Sequence, residues 1–213
     1  MPVALAGGYL LGTFPSADLV ARWSARGAAG RTRDGGKAGG RTDLRHLGSG
    51  NPGALNAYRT LGRRAGALVL VADVAKGMVA GGAGLALAGA GAAQVAVVAA
   101  IVGHCFPLWS GLRGGKGVAT AAGGILALFP AGFGVSFAAG LLAVGATRRA
   151  VTAMQAAVAA WLVAAVWWWA AGWPNPWGVA PGPGLVATAA VSATVVGGAF
   201  ARARPPVPEP GSR

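Results

Sequence analysis

Two glycine-rich segments carry the residue types that suit a phosphorylated substrate. The first is GSGNPGALNAYRTLG, from Gly48 to Gly62. Gly48 and Gly50 permit tight turns with exposed amides, and Ser49, Asn51 and Asn56 add neutral hydrogen-bonding groups. Arg59 can fork onto a phosphate or carboxylate, and a loop of this kind leading into a helix makes an anion cradle. The second segment joins Gly103-His104-Cys105-Phe106-Pro107 to GLRGGKGVAT, from Gly111 to Thr120. It suggests a phosphate loop, but Ser110 stands where a nucleotide-binding loop needs Gly, and Lys116 is followed by Gly117 instead of Ser or Thr. Nucleotide hydrolysis is therefore not indicated. What remains is a turn offering the amides of Gly114, Gly115 and Gly117, the Lys116 ammonium and a helix N-terminus to an anion. His104 and His46 are the only histidines. His104 can titrate near neutrality, although a lone His near a membrane end is more often structural, and a substrate phosphate oxygen could take a proton instead.

The elements that must position these segments are apolar. Of 213 residues only 11% are charged, 54% are hydrophobic, and the net charge is +13, with mean hydropathy +0.56. A soluble domain carries roughly a quarter charged residues, so an ordinary soluble enzyme is excluded, as is a disordered chain poor in apolar residues. The single Cys105 leaves no disulfide framework or zinc spacing. The expected class is an all-α polytopic membrane protein. Apolar stretches run over Val3–Val20, Ala65–Ala88, Ala92–Trp109, Val118–Phe129, Ala131–Thr147 and 150–201, the last divided by the Gly/Pro/Trp-rich stretch 172–184. They predict about seven transmembrane helices, the fourth short. With the N-terminus outside and the C-terminus cytoplasmic, every Lys and Arg except Lys76 falls in a cytoplasmic segment, as the positive-inside rule requires. No basic residue precedes the first apolar run, so it reads as a permanent span instead of a cleaved signal.

Lys76 stands three residues after Asp73 inside the second span, on one helix face with it. The pair is either a neutralised structural pair or part of the site. Trp167, Trp168, Trp169, Trp173 and Trp177 read as an interfacial aromatic belt, and Gly77, Gly81 and Gly84 as close helix packing. One membrane domain is expected over 1–204, with a flexible basic insert at 24–41 and a disordered Pro-rich tail at 205–213. Nucleic-acid binding is not expected, because the positive charge follows topology. A non-catalytic protein that binds or moves phosphorylated anions is the alternative, but a transporter wants broken helices and charge near mid-membrane.

The residues also carry a family resemblance. GSGNPGALNAYRTLGRRAGALVLVADVAKG, from Gly48 to Gly77, resembles the first signature of bacterial acyl-phosphate:glycerol-3-phosphate acyltransferases, and GHCFPLWSGLRGGKGVATAAGG, from Gly103 to Gly124, is similar to the second. The openings YLLGTFPSADLVARW and DLRHLGSGN resemble the family as well. The resemblance implies a multi-pass enzyme of the bacterial inner (plasma) membrane with its active site on the cytoplasmic face. It would transfer an acyl group from acyl phosphate to the 1-hydroxyl of glycerol 3-phosphate, releasing lysophosphatidic acid and phosphate for phospholipid synthesis. No cofactor or metal is implied, and neither acyl-CoA nor acyl-carrier protein is the donor. Ser49, Arg59 and Lys116 match family active-site positions, with His104 as a further catalytic candidate. Substrate-binding candidates are Gly48, Gly50, Asn51, Asn56, Gly114, Gly115, Gly117 and Thr120. Two departures stand out: the family's His and Asn after the last span are missing from GGAFARARPPVPEPGSR, and Leu55 replaces a common hydroxyl residue. The resemblance then leaves open a pocket completed differently or a divergent paralogue.

Overall fold

A computed structural model describes residues 1–29 and 43–202. The described chain is all-helical: α1 Pro2–Gly12, α2 Ser16–Ala29, α3 Ala54–Leu61, α4 Arg63–Cys105, α5 Val118–Leu128, α6 Pro130–Thr147, α7 Ala150–Ala171 and α8 Pro183–Ala201. Short 3₁₀ turns occupy Leu44–His46 and Leu108–Ser110. Most of the expected basic insert and the whole of the expected tail lie outside the described residues. Residues 24–29 of that insert belong to α2 instead of a loose segment.

The 43-residue α4 is two helices folded at Gly89, whose φ of 80° and ψ of −175° break the helix. Its arms return antiparallel. A Cβ on Gly84 would meet Ala93 backbone, and one on Gly81 would meet Val97. These pairs lie at equal distances from Gly89 to within one residue, as do Asp73 and His104. At a rise of about 1.5 Å per residue, the last pair sits roughly 24 Å along the hairpin from its turn. The two apolar stretches read from the sequence are these arms.

Small residues let the other helices approach. Gly8 and Gly12 of α1 face Ala96 and Ala100 backbone, and Gly103 faces Tyr9. This small-xxx-small seam is the contact that lipid favours, since apolar side chains gain little by leaving lipid for protein. Gly77 and Gly123 seat α4 and α5 backbone to backbone, Gly77 against Thr120 and Gly124, Gly123 against Val74. The close packing expected at Gly77, Gly81 and Gly84 is therefore present.

The first apolar stretch departs from expectation. It is no single helix from Val3 to Val20, because α1 ends at Gly12 and α2 begins after Pro15. Proline restricts the residue before it and donates no backbone hydrogen bond, so the chain turns at residues 13–15. α5 is also short: its 11 residues rise only about 16 Å. Its C-terminal carbonyls are met by the segment between α7 and α8. Leu128 O accepts from Asn175 Nδ2 (2.9 Å) and Val179 N (2.9 Å), and Leu126 O accepts from Trp177 Nε1 (3.0 Å). Irregular backbone at membrane depth is tolerated where protein covers it. Trp168 packs edge-on against Phe129 and Trp173, while Trp167, Trp169, Trp173 and Trp177 stay about half exposed. Among the described residues, five helical stretches are long and apolar enough to cross a membrane; one of them contains the Gly89 fold, and α5 falls short.

Two outcomes test this packing. Gly77→Leu forces a side chain into α5 backbone and should destabilise by at least about 1–3 kcal/mol, the usual cost of overpacking, read as a lower thermal midpoint in detergent. Asn175→Ala removes one of the donors to Leu128 O and should cost about 1 kcal/mol by the same measurement.

Candidate active site

The hairpin fold brings its polar residues to the end of the molecule where the two glycine-rich loops lie. Ser16, at the first turn of α2, donates through Oγ to Asp73 Oδ1 at 2.6 Å. Lys76 Nζ donates to the same carboxylate oxygen at 2.8 Å and to Ser16 Oγ at 2.9 Å. His104 Nδ1, from the other arm, faces it at 3.6 Å, a packing contact longer than a hydrogen bond. Asp73, Lys76 and His104 are 2%, 6% and 8% exposed. Isolated charges at such depth are costly; here Asp73 and Lys76 neutralise each other.

Arg45 ties the loops together on the solvent side. Its Nη1 donates to Asp18 Oδ1 of α2 at 2.7 Å and to Asp43 Oδ1 at 3.2 Å. Its Nε donates to Arg113 O in the second loop at 2.9 Å. Burial alone would lower its pKa, but the two carboxylates outweigh burial and raise it. Arg45, Asp18, Ser16, Lys76, His104, Ser110, Gly114 and Gly115 line one open cleft with residues 12–15, of about 40 Å³.

The sequence-predicted residues divide in this frame. His104, Gly114 and Gly115 line the cleft, and Ser49, Arg59 and Lys116 do not. Ser49 and Arg59 are exposed, on the first loop and on α3. Lys116 is half-buried with Nζ 4.3 Å from the centre of the Phe200 ring; burial lowers its pKa. Gly48 and Gly50 take positive φ, 54° and 67°, and with Asn51, half-buried, they form the loop's turn.

Three expectations change. Asn56 is buried, and its amide is committed to the protein: Nδ2 donates to Leu44 O (3.0 Å) and Leu47 O (2.9 Å), and Oδ1 accepts from Ser49 N (3.0 Å). It shapes the first loop and has no group left for substrate. The Gly114 and Gly115 amides donate to Cys105 O (3.1 Å) and His104 O (3.0 Å), so they do not form the anion cradle. Among the described residues the amides of Lys116 and Gly117 have no hydrogen-bond partner, and Gly117 caps α5 with φ 77°. Thr120 is fully buried between α4 and α5 and does not line the cleft.

Other residues were not anticipated. Arg45 counts in the sequence only as a topology charge, yet the alternation of sign across Asp43 and Arg45, with Asp18 the lone acid of the first apolar stretch, marks a half-buried clamp. Ser16 follows Pro15 at a helix start. At the end of α8, Phe200 seats Lys116, and the Arg202 guanidinium lies 5.1 Å from the centre of the Phe106 ring, so the C-terminal helix reaches the second loop without His or Asn.

Comparison with known proteins gives one consistent result. A family model described as glycerol-3-phosphate acyltransferase matches residues 2–201. The glycerol-3-phosphate acyltransferase of Roseobacter denitrificans (strain ATCC 33942 / OCh 114) is 42% identical over 160 residues, 75% of this chain and 70% of that one. That of Synechococcus sp. (strain JA-2-3B'a(2-13)) is 38% identical over 177 residues, 82% and 78% of the two chains. The crystal structure of PlsY (YgiH), an integral membrane glycerol 3-phosphate acyltransferase, in its glycerol 3-phosphate form superposes with a TM-score of 0.74 at 26% identity. It covers 94% of this chain and 88% of that one. The lysophosphatidic acid form gives 0.70. A hairpin, a cleft and two glycine-rich loops built in this order, with a family match over nearly the whole chain, place this protein in the glycerol-3-phosphate acyltransferase family.

Proposed function

We propose that this chain acylates the 1-hydroxyl of glycerol 3-phosphate, taking the acyl group from an acyl phosphate. The observation that carries this reading is the meeting of both glycine-rich loops at one hairpin end, around a shared cleft. The hydroxyl oxygen attacks the acyl carbonyl carbon, the bond from that carbon to the phosphate oxygen breaks, and inorganic phosphate leaves with the hydroxyl proton. The products are lysophosphatidic acid and phosphate. Few side chains of the cleft wall are available to take that proton. Asp18 is held by Arg45, Ser16 and Lys76 are bound to Asp73, and the Nε2 edge of His104 abuts Gly115. A phosphate oxygen takes the proton in this reading, so the step requires no protein base.

Ser49 supplies a hydrogen bond to substrate, and Arg59 and Lys116 neutralise the two phosphates. The free amides of Lys116 and Gly117, at the N-terminus of α5, stabilise the negative charge that develops as phosphate departs. Residues 1–204 act as one domain with seven membrane crossings, counting both α4 arms and α5. The basic segments, and so the cleft, face the cytoplasm of a bacterial plasma membrane. The positive-inside bias and the grouping of both loops with Arg45 and Arg113 at one end support that orientation.

In liposomes containing palmitoyl phosphate and glycerol 3-phosphate, Arg59→Ala and Lys116→Ala should each slow phosphate release at least tenfold, the loss of a charged hydrogen bond of about 1.5–3 kcal/mol. An unchanged rate for either would remove that residue from the site. A bound phosphate favours the charged form of Lys116, whose pKa burial holds low in the free protein. Affinity should therefore fall as pH rises through that lowered pKa, so KM for palmitoyl phosphate climbs at alkaline pH. Lys116→Arg should displace the climb to higher pH, and an identical profile for the variant would contradict the assignment.

A further inference from the structure

We propose that Ser16, Asp73 and Lys76 are positioning residues that hold the Lys116 turn in place through His104. This rests on the reading that the Lys116 turn binds substrate phosphate. Two charges buried in a membrane-spanning arm cost more than a pair of apolar residues would, and self-neutralisation alone calls for no third or fourth partner. Yet one oxygen, Asp73 Oδ1, gathers groups from three segments. It accepts from Ser16 Oγ at 2.6 Å and Lys76 Nζ at 2.8 Å, and faces His104 Nδ1 at 3.6 Å.

The other edge of the imidazole touches the second loop. A Cβ on Gly115 would overlap His104 Nε2, and one on Gly114 would overlap His104 O. Gly115 N donates to His104 O at 3.0 Å and Gly114 N to Cys105 O at 3.1 Å. The chain just before Lys116 is thus fastened to the end of α4 by two backbone bonds and rests on the His104 ring. Glycine at 114 and 115 is required by that approach. A ring that lost its packing against Asp73 would turn within its socket and take Gly115, and with it Lys116, out of register.

The test is a mutant cycle in the full-length protein reconstituted in liposomes, with palmitoyl phosphate and glycerol 3-phosphate. The variants are Ser16→Ala, the charge-neutral exchange Asp73→Asn with Lys76→Met, His104→Gln, and each of the first two combined with His104→Gln. Each of the three should raise KM for palmitoyl phosphate roughly tenfold, with KM for glycerol 3-phosphate unchanged. Residues acting through one partner are non-additive, so the combinations should lose no more than His104→Gln alone. Additive losses, or wild-type KM values in Ser16→Ala and the exchange, overturn the proposal. So does a parallel rise in both KM values with a fallen thermal midpoint, which marks general loosening. If the exchange does not fold, the Ser16→Ala and His104→Gln cycle decides. Lys116→Ala is run alongside: full activity in that variant overturns the underlying site reading, whereas its loss with an additive cycle overturns this proposal alone.

Discussion

The fold-back of α4 at Gly89 fixes the register on which the site depends. One residue in a left-handed conformation, which favours glycine, returns the chain on itself. Every pairing along the two arms then follows by counting outward. Asp73 meets His104 because both lie about the same number of residues from that turn. Sliding one arm by a single residue would rotate its side chains by about 100° about their helix and part His104 from Asp73. The apolar part of the hairpin and its polar end therefore enforce the same alignment.

Around this hairpin, attraction comes from proximity more than from water exclusion. Lipid is as apolar as the helix faces, so association relies on backbone approach and dispersion. The 38 glycines serve that end where Gly8, Gly12, Gly77, Gly103 and Gly123 each abut a neighbouring backbone. The larger buried side chains, Phe129, Leu128, Ile101 and Leu185, gather elsewhere, among α4, α5 and α8. Small residues thus set distances, and large ones fill the interior between them.

Much of this was legible in the chain itself. Charge-free runs marked the helices because few sequences besides membrane segments omit charge for so long, and Pro130 and the stretch 172–184 marked their ends. The break at residues 13–15 escaped because an apolar run looks the same on either side of Pro15. Among the proposed site residues, Lys116 and Arg59 stand out by type and glycine context, and the i, i+3 spacing announces Asp73 and Lys76. Asn56, Gly114 and Gly115 have the right chemistry for a ligand, but partners inside the protein use their groups. Only long-range geometry shows which donors are already engaged. The same holds for Arg45, whose three partners lie on three separate segments.

The shortness of α5 has a mechanical consequence. One end of this 11-residue helix is Gly117 beside Lys116, and the other is pinned at Leu126 and Leu128 by Asn175, Trp177 and Val179. The helix behaves as a strut too stiff to bend over three turns. The depth at which the Lys116 turn sits is thus set from the opposite end of the molecule, by a tryptophan-bearing segment that never approaches the cleft.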